Sequence, residues 1–270
     1  MAITKLLLNG VEYDIGNIYE IKTEGPQLYE GRELSEYTWA QLKTKCTNAD
    51  FSDLRVGDYK TISLTGGEVV KMQIAGIDTY YKTTDQQAPH HIDWISIDCL
   101  NDYVQWNTTN NNNGNGSEAC PYLVSNVYTY LNSTIYPKLP ADVRAVIKNK
   151  RFLLEQRYSG SGALTDSTGW AWKDIGNLWL PSEYEVFGSV VWGTKGYGGG
   201  QHVQYPLFAN SYFHRIKGKG NGGDCCNWWL STVHSGNSAI CCYVDYSGYA
   251  NTAYASNTNL GVPVCFRISA

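Results

Sequence analysis

An α+β fold, with short helices set around small antiparallel sheets, is what the patterning of this chain predicts. Apolar runs meet across tight turns at Asn9-Gly10, Gly66-Gly67 and Ser247-Gly248, the sequence signature of hairpins. Helical periodicity occurs in brief stretches between them, announced by local capping residues. The C-terminal block from Gly220 to Ala270 uses a restricted alphabet that is unlike core-forming sequence. At 270 residues and 43% hydrophobic content the chain is that of a folded protein with room for one large domain or two smaller ones.

Taken in order, Ile3 to Ile15 reads as a hairpin with Asn9-Gly10 as its type I′ turn. Lys22 to Glu33 is a polar connector. Ser35 is the expected N-cap of a helix that carries Trp39, Leu42 and Cys46 on one face. Tyr59 to Leu64 and Val69 to Ile74 are strands joined through Gly66-Gly67. His91 to Ile97 alternates, which predicts one apolar and one mixed face. Asn107 to Asn115 is a low-complexity loop. Tyr122 to Leu131, with Leu123, Val127 and Leu131 in register, and Pro140 to Lys148, with proline at the first helical position, are expected helices. Ser182 and Glu185 form a capping box for a short helix that Gly188 closes. Gly193 to Gly200 is a loop, and strands turning at Ser247-Gly248 lead to a last strand within Val262 to Ile268. The segments divide into an attachment hairpin, 1–34, and a main domain, 35–270, whose variable region spans about 220–260.

Composition narrows the function. A net charge of -4 without a Lys/Arg cluster argues against a phosphate-binding surface, so nucleic acid is not an expected partner. Met1 to Ile15 has only Leu6-Leu7-Leu8 as an apolar run, too short for a signal-peptide core, and no segment approaches a membrane span. The expectation is a protein with no signal peptide and no membrane insertion. Eight cysteines, at 46, 99, 120, 225, 226, 241, 242 and 265, include no C-x-x-C, and no histidine lies at finger spacing. Adjacent cysteines on a strand point to opposite faces, so reduced thiols are expected rather than disulfides within Cys225-Cys226 or Cys241-Cys242. No metal or other cofactor is expected.

Between Leu230 and Leu260 there is no Lys, Glu, Gln, Met, Arg, Pro, Phe or Trp, and Asp245 is the only charge. Tyr, Ser, Asn, Gly, Ala and Thr fill the stretch. Such mixtures suit contact surfaces, because tyrosine supplies rigid area and small polar residues supply adaptable hydrogen bonds. The expected ligand-binding, variable residues are Cys226, His234, Ile240, Cys242, Tyr243, Asp245, Tyr246, Tyr249, Asn251 and Tyr254. Val244, Trp228 and Trp229 are expected beneath them as scaffold.

Trp179-Leu180-Pro181-Ser182-Glu183-Tyr184-Glu185-Val186-Phe187-Gly188, Asn227-Trp228-Trp229-Leu230-Ser231 and Gly261-Val262-Pro263-Val264-Cys265-Phe266-Arg267-Ile268 together carry a resemblance. With Trp39-Ala40-Gln41-Leu42 and Val56 to Ile62, the chain from Ser35 to Ile268 resembles the C-type-lectin-like domains of phage and gut-bacterial proteins related to formylglycine-generating enzymes. That group includes the variable proteins of diversity-generating retroelements. The resemblance implies a C-type-lectin-like fold and a non-enzymatic, hypervariable receptor-binding protein whose C-terminal codons are rewritten at adenines. It places the protein on a phage tail tip or a bacterial surface. The implied partners are a cell-surface protein or glycan of a bacterial host and other virion proteins, with a homo-oligomer compatible. Rewriting AAC or AAT codons never yields Lys, Glu, Gln, Met or Trp, which matches the exclusions between Leu230 and Leu260.

Two alternatives stay open: an enzyme of the formylglycine-generating type, and a fixed-specificity glycan-binding virion protein. The reactive C-x4-C pair of that enzyme class has no counterpart here. The Glu-Pro-Asn, Gln-Pro-Asp and Trp-Asn-Asp triplets of calcium-dependent lectins do not occur either. His90-His91 is expected in a solvated loop, and Glu183 and Glu185 are expected to serve the helix terminus rather than acid–base chemistry. The sequons at Asn107 and Asn132 carry little weight without a secretory signal.

Overall fold

The structure, a computed structural model, describes residues 3–8, 11–18, 31–158, 167–195 and 202–270. The chain divides into two units, Met1–Glu30 and Gly31–Ala270. In the first, strands β1 (Ile3–Leu8) and β2 (Val11–Ile18) pair antiparallel with Leu8 opposite Val11. The Asn9-Gly10 turn, the connector from Lys22 to Glu30, and residues 196–200 of the predicted Gly193 to Gly200 loop lie outside the described residues.

The second unit begins a few residues before the boundary read from the sequence, because Leu34 is fully buried and its amide donates to the Tyr59 carbonyl at 2.8 Å. Helix α1 (Trp39–Asn48) buries Trp39, Leu42 and Cys46 as expected, but its N-cap is Thr38 rather than Ser35. Thr38 Oγ1 accepts from the Gln41 amide at 3.2 Å, and Gln41 Oε1 accepts from the Thr38 amide at 2.7 Å. That reciprocal pair fixes the helix start.

Strands β3 (Tyr59–Ser63), β4 (Val69–Ile77) and β5 (His91–Ser96) follow. The predicted helix from Tyr122 is broken into a 3₁₀ turn (Pro121–Val124), α2 (Asn126–Thr129), a π-helical stretch (Tyr130–Ile135) and a second 3₁₀ turn (Tyr136–Lys138). The break comes at Ser125, extended at ψ 153, whose hydroxyl accepts from the Tyr128 amide at 3.1 Å. A serine side chain competing for backbone donors interrupts the helix and caps the next turn. The second predicted helix is also shorter. Pro140 is the residue before α3 (Ala141–Arg144), and Ile147–Lys148 leaves the helical path to become strand β6.

Strands β7 (Arg151–Gln156) and β8 (Gly169–Asp174) form a hairpin. Helix α4 (Glu183–Phe187) has the expected capping box between Ser182 and Glu185 and ends at Gly188, φ 72°. After α5 (Pro206–Asn210) come β9 (Lys217–Gly218), β10 (Cys225–Cys226), β11 (Trp228–Val233), β12 (Ile240–Val244), β13 (Ala250–Tyr254) and β14 (Cys265–Ser269). The architecture is therefore α+β with antiparallel sheets and short helices.

The main sheet has the order β3-β4-β5-β14-β6, so the C-terminal strand closes it between β5 and the two-residue edge strand β6. Every residue of β5 is buried, where alternation had predicted a mixed face. One parity meets α1, with Trp39 edge-on to Trp94 at 5.3 Å and to Phe266 at 5.7 Å. The other parity meets a buried polar network instead of solvent. Asp93 takes two hydrogen bonds from Arg267 at 2.7 Å and one from the Tyr205 hydroxyl at 3.0 Å. Lys150 donates to Glu185 and, at 3.0 Å, to Tyr205, and the Tyr80 hydroxyl donates to Glu185 at 3.0 Å. Satisfied this way, buried charge becomes tolerable inside a packed core. Among the described residues no helix is long and apolar enough to cross a membrane.

Candidate binding face on the C-terminal hairpin

Strands β11, β12 and β13 form a three-stranded sheet with β12 in the middle. Its frame is apolar: Trp228, Trp229, Leu230 and Val244 are fully buried. Both indoles are anchored, Trp228 Nε1 donating to the Arg215 carbonyl and Trp229 Nε1 to the Val104 carbonyl, each at 2.7 Å. Loops from elsewhere brace the sheet. Asn112 donates to the carbonyls of Asn237, at 2.7 Å, and Ile240, and buried Arg157 donates to the His234 carbonyl. The predicted low-complexity loop thus contains a structural asparagine.

The turn between β12 and β13 is built by Asp245. Its Oδ1 accepts from the amides of Ser247 at 2.8 Å and Tyr249 at 3.0 Å, while Gly248 takes φ 88°. A carboxylate that holds its own turn is a shaping residue. Asn227 Oδ1 adds a bond from the Tyr246 amide at 2.8 Å. The turn projects Tyr246 and Tyr249, 62% and 66% exposed, into solvent.

Strand register sorts the remaining expected positions. Tyr243 lies opposite Asn251 and Cys241 opposite Ala253 on one face; Ile240 lies opposite Tyr254 and Cys242 opposite Thr252 on the other. Asn251 and Tyr254 are both exposed but belong to opposite faces. Tyr243 is half-buried against the Trp229 ring at 6.2 Å. His234, Ile240 and Asp245 are half-buried. Tyr254 is 60% exposed and lies at the far end of β13, about 13 Å from the turn at the usual strand rise.

Two expected site residues are corrected by burial. Cys242 is fully buried because β12 is flanked by two strands and covered on both faces, so period-two alternation does not bring either Cys241 or Cys242 to solvent. Cys226 is buried beside Cys99, whose thiol it accepts a hydrogen bond from, an interaction that lowers its pKa. A Cβ at Gly261 would come within 2.8 Å of Cys99 Sγ and 3.0 Å of Cys226 Sγ. Glycine is therefore required there, and both thiols sit under the hairpin's base. Cys225 is the exposed member of its pair. Burial pushes the Cys241 and Cys242 thiols well above the usual range, leaving them unreactive.

Three aromatic residues outside the restricted block join this face. Trp192, 41% exposed, stacks on His234 at 5.9 Å, and its Nε1 donates to the Ala250 carbonyl at 3.3 Å, so it spans the hairpin between Tyr254's end and the turn. Tyr212 and Phe213, 46% and 48% exposed, pack together at 4.2 Å. A Cβ at Gly248 would lie 3.5 Å from the Tyr212 carbonyl oxygen, which places this pair's backbone against the turn. Their sequence signal was slight, since adjacent aromatics in a polar segment read equally as core.

Of the histidine pair, His90 lies in a loop and is half-buried, whereas His91 is not solvated. His91 is fully buried at the start of β5, where its Nε2 accepts from the Tyr80 amide at 3.2 Å and burial lowers its pKa to about 4. His90 lies 2.6 Å from Asp78 and stacks on Tyr81 at 4.0 Å. Glu185 caps α4 and reaches the buried network. Glu183 accepts the amides of Val191, Trp192 and Gly193 at 2.9 to 3.0 Å, so it holds the loop that presents Trp192. Asn132 of the second sequon is tied into the fold by bonds to the Asn177 and Leu178 amides, both 3.1 Å. Among the described residues no cluster of His, Cys, Asp or Glu is arranged to hold a metal ion.

No curated protein and no solved structure matches this chain. The family match begins just after β5, so β14 completes a sheet whose strands β3, β4 and β5 lie outside the matched segment. Residues 98–270, well over half of the chain, match the family DUF6273, a domain of unknown function, and the protein belongs to that family.

Proposed function

We propose that this protein is a non-enzymatic, hypervariable ligand-binding protein with a C-type-lectin-like main domain, diversified by a retroelement and displayed on a phage tail tip or bacterial surface. The observation that carries the reading is a division of labour within residues 230–260. The exposed side chains there include Tyr246, Tyr249, Asn251 and Tyr254, whereas Leu230, Val233, Val244 and Leu260 are buried. A frame that stays fixed while exposed Tyr, Asn and Ser positions change is what repeated rewriting of a binding surface requires. Rigid presentation also spares a loop its ordering entropy on binding. The partner class that suits tyrosine-rich, nearly uncharged contacts is a cell-surface protein or glycan of a bacterial host.

The deciding experiment is sequencing the locus in several isolates. A near-repeat of the coding region for about 220–260, differing at adenines and lying beside a reverse-transcriptase gene, supports the proposal. Identical coding sequence across isolates with no such repeat removes it and leaves a fixed-specificity binder. Oxidase activity that is lost on replacing a cysteine would move the protein to the enzyme class.

A further inference from the structure

Away from the exposed tyrosines, among the described residues, a cleft opens between the β7–β8 hairpin and the segment that carries α4 and the following loop. It encloses about 500 Å³ of empty space, its open mouth included. Phe152, Leu153, Trp170, Tyr184 and Val233 give it mostly apolar and aromatic walls. Polar side chains line it as well, among them Glu155, Glu183, Thr194 and His202.

Their remaining capacity differs. Glu183 is already occupied by three backbone amides. His202 is packed edge-on against Phe152 at 4.8 Å, and burial lowers its pKa to about 4, so it is neutral at pH 7. Glu155, only 9% exposed, accepts one hydrogen bond at Oε1, from the Thr194 hydroxyl at 2.6 Å. The nearest cation is Arg157, 3.8 Å from that same oxygen and beyond hydrogen-bonding reach. Oε2 takes no hydrogen bond from any described residue. Most of the side chain is buried while that oxygen stays open to the cleft, where it can accept a hydrogen bond from a donor that enters.

We propose that this cleft binds a small organic cation, a primary ammonium group on an aromatic or aliphatic body, with Glu155 as its counter-ion. An ammonium would supply the missing donor and charge at Oε2. Its hydrocarbon body would fill the apolar space beside Trp170 and Tyr184, aromatic neighbours that tolerate a cation. An anion would meet Glu155 and Glu183, and no described residue that lines the cleft is a cation; Arg157, just past the end of β7, lies 3.8 Å from Glu155. Glu155 lies outside the 220–260 region, so the proposal does not rest on diversification of the hairpin, although Ser231, Thr232 and Val233 of β11 form part of the cleft wall.

Burial pushes the Glu155 carboxyl up to about 7. Of the other titratable groups around it, Cys120 and Cys242 are thiols raised by burial and His202 is neutral, so none of these changes charge between pH 6 and 8. Burial also raises Glu183, against the pull of its three amides, so loss of the pH effect in Glu155→Gln is what assigns it to Glu155. Cation affinity should therefore fall about tenfold between pH 8 and pH 6, as protonation removes the counter-ion.

The test is titration of the full chain with benzylammonium, benzyl alcohol and benzoate, followed by calorimetry and by the indole signal of Trp170, assigned with Trp170→Phe. The expected result is saturable binding of benzylammonium, at least tenfold weaker binding of benzyl alcohol, and none of benzoate. Glu155→Gln should lose at least tenfold for benzylammonium while benzyl alcohol is unaffected. Should Glu155→Gln not fold, the pH 8 to pH 6 ratio on the parent protein decides. Equal binding of amine and alcohol, a Trp170 signal unmoved by benzylammonium, or pH-independent affinity would overturn the proposal.

Discussion

Arg267 and Asp93 stand directly opposite each other on β14 and β5 and are joined by two hydrogen bonds of 2.7 Å, both side chains buried. Burial by itself would raise the Asp93 carboxyl, yet the Arg267 guanidinium beside it holds it well below the usual carboxylate range. The pair ties the last strand of the chain to a strand more than 170 residues earlier. Removing one member leaves a buried charge without its partner, which costs about 3–5 kcal/mol. Arg267→Met should therefore lose that much stability in urea denaturation, and Asp93→Asn a similar amount. A loss below about 1 kcal/mol in both variants would show that the pair does not hold the sheet together.

The buried histidines set the acid side of the stability profile. His91 and His202 both have pKa values lowered to about 4 in the folded chain, against 6.5 when exposed. The unfolded chain therefore binds more protons between those values. Their contribution is present above pH 6.5 and is lost as pH falls through about 4, up to about 3 kcal/mol each. Glu155 acts with the opposite sign, because its folded pKa of about 7 lies above the exposed value of 4.5, so stability falls as pH rises across that interval. Two histidines outweigh one carboxyl. Melting temperature should drop from pH 6.5 to pH 4.5, the drop should flatten in a His91→Asn/His202→Gln double variant, and it should steepen in Glu155→Gln.

Cysteine positions give a direct contrast between surface and frame. Cys225→Ser should change stability by no more than about 0.5 kcal/mol. Cys242→Ser places a hydroxyl at a fully buried site on β12 and should cost about 1–3 kcal/mol. Equal effects of the two substitutions, measured by chemical denaturation, would contradict the difference in burial between the two thiols.

The exposed tyrosines should be free to change without loss of fold. A Tyr246→Ala/Tyr249→Ala/Tyr254→Ala variant is expected to unfold within about 1.5 kcal/mol of the parent. Tyr243→Ala removes a ring packed on Trp229 and should by itself cost about 1–2 kcal/mol. Once a ligand is identified, one or two of the exposed tyrosines, or Trp192, should each account for about 2 kcal/mol of affinity. A triple variant that no longer folds, or that retains full affinity, would show that these side chains are not the adaptable surface.

What the sequence determined by itself is what rests on short-range rules. The capping box at Ser182 and Glu185, the buried face of α1, the hairpins around Gly66-Gly67 and Ser247-Gly248, and the burial of Trp228, Trp229 and Val244 all follow from spacings of a few residues. Tertiary structure decided the rest, because burial of both faces of a strand depends on what distant segments lay over it. β5 and β12 became central strands with two covered faces, which hid His91, Asp93, Cys241 and Cys242 where alternation had half of them facing solvent. The long helix expected from Tyr122 gave way at Ser125 because a local side-chain bond competed with the helix. Trp192, Tyr212 and Phe213 reach the hairpin only through the fold, and so does the uncommitted oxygen of Glu155. No periodicity in a chain records which loop is carried beside which strand; that is set by packing between segments far apart in sequence.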